Sequence, residues 1–178
     1  MIIIGGMHMD IFSLGDKLFE VFELIKDYGK NHGIDFDKVE LIVIDDEQDC
    51  TRYHYLPDEK TLDLIKAEIF VNANDFDLYN TFITDYYNER FSLGLKHELN
   101  QCLIRMLCHE CGHHANYDKY KYSEEEYGEQ VNYVLSTYEE RDERQYAYRQ
   151  INEEYDADTF AGLFLKEHLN DCLQIMAQ

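Results

Sequence analysis

The sequence predicts a mostly helical α+β domain that contains a small, largely antiparallel three-stranded sheet. Three observations support this fold class. Apolar residues recur at spacings of three and four in both halves of the chain, β-branched runs bounded by turn residues lie between positions 39 and 72, and the 178 residues include one proline. Because the chain shows neither a Gly/Ser-rich linker nor an internal repeat, we expect one domain over residues 1–178.

The first helix and the sheet are predicted from residues 11 to 72. Apolar side chains follow a helical spacing from Ile11 to about Tyr28, and Gly29 or Gly33 closes that helix. The extended stretches that follow are Val39–Ile44, Arg52–Leu56, 61–64 and Ala67–Asn72. Pro57 begins the turn between the second and third strands, so we expect a hairpin there.

Helical spacing returns after residue 74, where Asn74 or Asp75 can cap a helix that holds Phe76. The later predicted helices are Leu95–His114, part of Tyr117–Arg144, Gln145–Leu165 and a short segment beyond it. In the helix over 145–165, Phe160 and Leu163 are expected to face the core.

The chain is strongly acidic, with 16 Lys and Arg residues against 37 Asp and Glu residues and a net charge of −21. Such a surface repels a phosphate backbone, which argues against nucleic-acid binding. The acidity is consistent with solubility alone, with attraction of a basic partner, or with mimicry of DNA.

The location expected for this chain is the cytoplasm, without a membrane span. No run approaches the roughly 20 consecutive apolar residues that a span needs, and the short apolar start lacks a basic region before it. The cysteines form an odd set without disulfide-framework spacing, and we expect reduced, mostly buried thiols at positions 50, 102, 108, 111 and 172.

A metal motif ends the helix that is predicted from Leu95. His109 and His113 are four residues apart, which places both imidazoles on one helix face, one turn apart, as two ligands of one tetrahedral zinc require. Glu110 follows the first histidine, where its carboxylate can accept a proton from a water that zinc acidifies. This arrangement, HExxH, predicts hydrolysis of a carbonyl substrate.

A catalytic zinc needs a third protein ligand, and a second pair of acids supplies a candidate. Glu154 and Asp158 are also four residues apart on a predicted helix. Glu154 can bind the metal while Asp158 accepts the free N–H of a histidine ligand and so fixes its ring. The small Ala157 and Ala161 allow this helix to approach the HExxH helix closely.

The two motifs together resemble the gluzincin metallopeptidases, in which a glutamate ligand on a later helix follows HExxH. The run from Glu154 to Ala161 is similar to their ExxAD-x-F-A signature, and Gly112 inside the first motif is most like the ImmA/IrrE peptidases of bacteria and phages. The resemblance implies a zincin-like fold and an endopeptidase activity. It also implies zinc bound by His109, His113 and Glu154, Glu110 as the base, and Asp158 behind a ligand.

Some family features differ or stay open in this sequence. Glu154 follows His113 by 41 residues, a longer interval than the family usually has, and no helix-turn-helix is apparent. The resemblance implies an edge strand that pairs with the substrate backbone, and Glu68–Ala73 is the candidate. Three residues are candidates for stabilising an oxyanion: His114, Tyr146 and Tyr148.

Two other clusters have a simple structural interpretation beside a functional one. Cys108 and Cys111 form a CxxC that overlaps HExxH, and buried thiols explain it better than half of a structural zinc site. The acidic segment over 117–144 is typical of a solvated helix face, although beside the cleft it could act as a lid or select basic substrates.

We therefore predict a zinc endopeptidase that cuts a protein or peptide substrate. Two alternatives stay open: an acidic interaction protein, such as a DNA mimic or an inhibitor of a host defence, with a structural zinc, and a metal-bound regulator that binds a partner without cutting it. The sequence indicates neither the substrate nor the oligomeric state.

Overall fold

A computed structural model describes residues 2–4, 7–9, 11–74 and 79–178. The strands are β1 (Ile2–Ile4), β2 (Met7–Met9), β3 (Val39–Ile44), β4 (Arg52–Pro57) and β5 (Leu64–Asn72). The helices are α1 (Ile11–Asn31), α2 (Tyr79–Phe91), α3 (Leu99–Ala115), α4 (Tyr117–Tyr120), α5 (Glu124–Thr137), α6 (Arg141–Tyr148) and α7 (Asn152–Ala177). The mostly helical α+β class is confirmed. The cap proposed at Asp75 and the helical position of Phe76 lie outside the described residues.

The three-stranded sheet has the order β3-β5-β4, so the last strand lies in the middle. β4 and β5 form the expected antiparallel hairpin, whereas β3 runs parallel to β5, which makes this sheet mixed. β1 and β2 form a separate antiparallel ladder, which we did not predict. Of the three strand pairs in the two sheets, the β1–β2 and β4–β5 pairs are antiparallel and the β3–β5 pair is parallel.

The position of β5 corrects the edge strand expected at Glu68–Ala73. Ala67, Ile69 and Val71 alternate along β5 and are almost completely buried, as suits a central strand with neighbours on both sides. The strand that borders the candidate site is instead β4, which pairs only with β5 within the described residues.

The helix predicted over Gln145–Leu165 is two helices. α6 ends at Tyr148, and a turn that leads to the buried, extended Ile151 separates it from α7. α7 then continues without a break to Ala177, so the separate short helix expected at the end does not form. α3 also begins later than predicted, because the backbone of Glu98 before it is extended, with φ −125° and ψ 143°.

The packing of α3 on α7 positions the candidate site. Gly112 of α3 lies against the backbone of Ala157, and a Cβ at position 112 would come within 2.7 Å of the Ala157 Cα. The prediction that small residues allow a close approach is confirmed. Phe160 is buried as expected. Leu163 is 49% exposed, because it lies outside the face of α7 that packs into the core. That face contains Ala157, Ala161, Phe164 and Leu165.

None of the helices in the described part of the chain is long and apolar enough to cross a membrane.

Candidate metal centre

Two histidines of α3 and one glutamate of α7 converge where these helices pack. The Nε2 atoms of His109 and His113 are 3.2 Å apart. The carboxylate of Glu154 lies 3.2 Å from His109 Nε2 through Oε2 and 3.6 Å from His113 Nε2 through Oε1. One ligand atom from each residue falls within a group no wider than 4.8 Å. The structure therefore brings together the three residues that the sequence suggested as ligands.

The spacing of these atoms fits a tetrahedral zinc. Ligand atoms about 2.1 Å from such an ion lie about 3.4 Å from one another. The distance between the two Nε2 atoms, and the distance from each of them to one oxygen of the Glu154 carboxylate, Oε2 for His109 and Oε1 for His113, fall close to that value. Two imidazole nitrogens with one carboxylate oxygen are also a donor set that catalytic zinc sites use. The residues present thus fit the metal that the motif predicts.

Asp158 contacts His109 on the ring nitrogen that does not face the other candidate ligands. Its Oδ1 atom lies 2.9 Å from His109 Nδ1, which leaves Nε2 for the metal position. The same oxygen accepts the hydroxyl proton of Tyr87 at 2.6 Å. Asp158 is fully buried, and although burial alone raises its pKa, Arg149 and His109 lower it overall. The carboxylate is therefore ionised and able to orient His109.

Two tyrosines fix the third candidate ligand. The hydroxyls of Tyr127 on α5 and Tyr148 on α6 donate to Glu154 Oε1 at 2.7 and 2.9 Å. Burial raises the pKa of Glu154, but His113, His109 and Arg149 outweigh this effect and the pKa is lowered. The acidic segment over 117–144 thus contributes one of these hydrogen bonds, through Tyr127, and Tyr148 beyond it contributes the other.

Glu110 has the surroundings expected of a general base. It is buried on the wall of a cavity that His109, His113 and Glu154 also line. Burial raises the pKa of Glu110 to about 7. A base of this strength can hold or release a proton at neutral pH. Burial lowers the pKa of His113 to about 4, which keeps that imidazole neutral as metal binding requires. Burial and the Arg149 charge also lower the pKa of His109, but Asp158 and Glu154 raise it to about 9.

A cavity of about 860 Å³ opens on the metal centre. Its walls include His109, Glu110 and His113 from α3, and Glu153 and Glu154 from α7. Edge strand β4 forms the opposite wall with Arg52, Tyr53 and Tyr55, and α5 adds Glu124 and Tyr127. The ring of Tyr53 stacks on that of His113, with 12° between the planes. The cavity therefore adjoins both the candidate base and the edge strand, and the backbone N–H of Tyr53 donates to the Glu110 carboxylate.

The three candidates for oxyanion stabilisation differ in their hydrogen-bond partners and in their access to the cavity. Both ring nitrogens of His114 are engaged, Nε2 with the Asp35 carbonyl at 2.7 Å and Nδ1 with the Tyr53 hydroxyl at 3.2 Å. Tyr146 is 57% exposed and does not line the cavity. Tyr148 does line it, with its hydroxyl bound to Glu154. Of the three, only Tyr148 is placed to approach a substrate.

The cysteines behave as expected of reduced thiols. All five are free, and Cys102, Cys108, Cys111 and Cys172 are buried whereas Cys50 is exposed. Burial raises the pKa of Cys108 and Cys111 well above the usual value, so neither is a ready thiolate ligand. Over the described residues, the candidate metal group contains histidine and glutamate only.

Sequence reasoning missed several residues around the metal position. The most prominent is Arg149, whose buried guanidinium contacts His109, Glu154 and Asp158. Tyr127 lies within the acidic segment over 117–144 and Tyr53 within the predicted strand Arg52–Leu56, and neither was predicted to contact a candidate ligand. A signal for Arg149 was present, because an arginine in the turn before a helix with two acids on one face can pair with them.

Comparison of the chain with protein-family models, curated proteins and solved structures finds no match. The geometry of the metal centre therefore carries the functional argument.

Proposed function

We propose that this protein is a zinc-dependent endopeptidase of the gluzincin type. His109, His113 and Glu154 hold the metal, Glu110 is the catalytic base, and Asp158 orients His109. The observation that carries the proposal is that the Nε2 atoms of His109 and His113 and the carboxylate of Glu154 lie 3.2–3.6 Å apart on the wall of a cavity that also contains the buried Glu110. A purely structural zinc site is normally closed by four protein ligands, which three ligands beside a cavity do not provide.

The chemistry divides between the metal and the side chains of the cavity. A bound zinc supplies Lewis acidity, which polarises a substrate carbonyl and acidifies water. Glu110 accepts the proton of the attacking water and returns it to the leaving amine, as a base with a pKa of about 7 is able to do. Tyr148 lines the cavity, and its hydroxyl would have to turn away from Glu154 to donate a hydrogen bond to the developing negative charge.

The substrate in this proposal is a protein or peptide bound in extended form. β4 presents an edge beside the cavity, and an extended chain can add to such an edge through backbone hydrogen bonds. Glu124 and Glu153 line the same cavity, which favours basic side chains. The net charge of −21 disfavours nucleic acid as a ligand, and five free cysteines agree with a cytoplasmic location.

The test of this function is the Glu110→Gln variant. The amide keeps the shape of the side chain but accepts no proton, so hydrolysis should fall by about 10²–10⁴-fold while zinc content stays at one ion per chain. Zinc is measured by mass spectrometry and cleavage with a library of extended peptides. Glu125→Gln, an exposed change of equal charge on α5, is the matched control and should cut like the wild type.

Equal cleavage by the wild type and Glu110→Gln would refute the catalytic role of this residue. Zinc retention in both His113→Ala and Glu154→Ala would refute the ligand assignment. If the wild type binds zinc and peptides without cutting any of the library, the metal-bound regulator becomes the better description. A peptide held by Glu110→Gln and cut by the wild type would identify the substrate.

A further inference from the structure

A buried arginine, Arg149, lies beside the candidate metal ligands, and the proposed catalytic mechanism gives it no role. Nη1 of Arg149 lies 3.2 Å from Asp158 Oδ1, 3.4 Å from Glu154 Oε2 and 3.2 Å from His109 Nε2. The Arg149 side chain is only 9% exposed. One cationic nitrogen therefore contacts a candidate ligand carboxylate, the carboxylate behind the first histidine, and that histidine itself.

The contacts with His109 show that the guanidinium and a metal can be present together. Nη1 of Arg149 is nearly equidistant from the two ring nitrogens, at 3.4 Å from Nδ1 and 3.2 Å from Nε2. Such a point lies over the ring face, because a position in the ring plane at these distances would overlap the ring carbon between the nitrogens. The Nε2 lone pair that His109 would offer to a metal lies in the plane of its ring. Arg149 therefore leaves the coordination position of His109 free.

The two buried carboxylates of the candidate metal centre need a cation to balance their charge. Glu154 and Asp158 are 2% and 0% exposed, and a buried carboxylate without a counter-charge costs several kcal/mol. A metal ion would neutralise both groups, but the chain is synthesised without one. Arg149 is a cation in direct contact with both carboxylates. Arg105 also lines the cavity, its guanidinium lies 5.5 Å from the centre of the Tyr87 ring, and its charge interacts with Asp158.

We propose that Arg149 is a resident counter-cation of the metal centre, which shares with the metal the neutralisation of Glu154 and Asp158. It keeps the metal-free chain folded with its ligands in place. It also repels the incoming dication at short range, so it makes the metal more weakly held and more readily exchanged than the ligand set alone would allow. This inference rests on the metal site of the proposed function but does not depend on hydrolysis.

Two measurements on an Arg149→Met variant test the inference. The first is the melting temperature after chelation and at saturating zinc, and the second is zinc affinity from competition with a chromophoric chelator. We expect the metal-free form to lose more stability than the zinc form. By linkage, zinc should then bind the folded variant more tightly, on the order of tenfold or more, and should raise its melting temperature further than that of the wild type.

Two further variants serve as controls. Arg149→Lys keeps the charge and should restore both values towards those of the wild type. Arg90→Met removes another arginine that packs on α7, through Thr159 and the ring of Tyr155, but lies outside the metal centre. It should lower both melting temperatures equally and leave zinc affinity unchanged. If Arg149→Met folds only when purified with zinc and unfolds on chelation, that result also supports the proposal.

The outcomes distinguish this inference from the proposed function. Equal losses of stability in the metal-free and zinc forms would make Arg149 a simple structural residue, and weaker zinc binding would show that it organises the ligands instead. Either result overturns the counter-cation role while the metal site stands. A wild-type chain that binds no zinc would refute the metal site itself, and the role of Arg149 with it.

Discussion

At the scale of single residues, the carboxylate of Asp158 joins several side chains of the candidate metal centre. Its Oδ1 atom contacts three donors, the Tyr87 hydroxyl, His109 Nδ1 and Arg149 Nη1. These contacts come from three different elements, α2, α3 and the turn before α7. Asp158 therefore contacts both the ring of a proposed metal ligand and the buried arginine, and its removal should weaken metal binding without removing a proposed ligand.

The Asp158→Ala variant should bind zinc about 10–100-fold more weakly than the wild type, the usual effect of losing a carboxylate behind a histidine ligand. The measurement is chelator competition at constant pH. Asp171→Ala, an exposed acid on the same helix, is the control and should leave the affinity unchanged. If the two variants behave alike, Asp158 has no role in orienting His109.

Glu124 and Glu153 line the cavity and test the proposed preference for basic substrates. Replacement of either with glutamine should reduce kcat/KM for a lysine-containing peptide by up to about fivefold, because a partly exposed ion pair contributes about 1 kcal/mol at most. The same peptide with norleucine should be cut equally well by all variants. Glu125→Gln carries the same charge change outside the cavity. An equal loss in this control would assign the preference to the overall charge.

At the scale of elements, local spacing predicts individual helices and strands better than their arrangement. It predicts β3 at its observed bounds and the start of α1, since both depend on residues close in sequence. It does not predict that β5 lies between β3 and β4, because pairing order depends on contacts far apart along the chain. The break at Ile151 was missed for a related reason, since a buried extended residue has no local signal there.

The same distinction holds for the candidate site. His109, Glu110 and His113 lie on one helix, and Glu154 with Asp158 on another, so i,i+4 spacing finds both groups. The hydroxyls of Tyr127 and Tyr148 reach Glu154 from two other helices, and only the tertiary fold brings them there.

Gly112→Ala tests the close packing of α3 on α7. A Cβ at this position would overlap the Ala157 backbone, which cannot move aside as a flexible side chain can. The variant should lose about 1–3 kcal/mol of unfolding free energy and bind zinc less well, because the two ligand-bearing helices are pushed apart. Gly128→Ala is the control, since a Cβ there meets nothing within 4 Å inside α5. It should gain up to about 1 kcal/mol. Equal stability of the two variants would contradict the packing argument.

At the scale of the whole molecule, the excess of acids acts against the compact state. Some acids are locally favourable, such as Glu124, Glu125 and Glu126 in the first turn of α5, where the helix dipole attracts negative charge. With 16 basic residues for 37 acidic ones, most acids nevertheless lack a cation of their own. The remaining repulsion is spread over the surface, so it should respond to ionic strength more than to any single substitution.

Salt should therefore stabilise this protein. The Debye length falls from about 30 Å at 0.01 M to about 8 Å at 0.15 M ionic strength, so distant acids are screened while buried pairs such as Arg149 with Asp158 are not. Self-repulsion at a net charge of −21 is largest in the compact state, and its loss should raise the melting temperature by several degrees over this range. Calorimetry of the metal-free chain in sodium chloride and in potassium chloride measures the effect. Equal rises in the two salts indicate screening, whereas a rise in only one indicates a bound cation. A flat or falling melting temperature in both would show that surface ion pairs, not repulsion between acids, dominate the electrostatics of the fold.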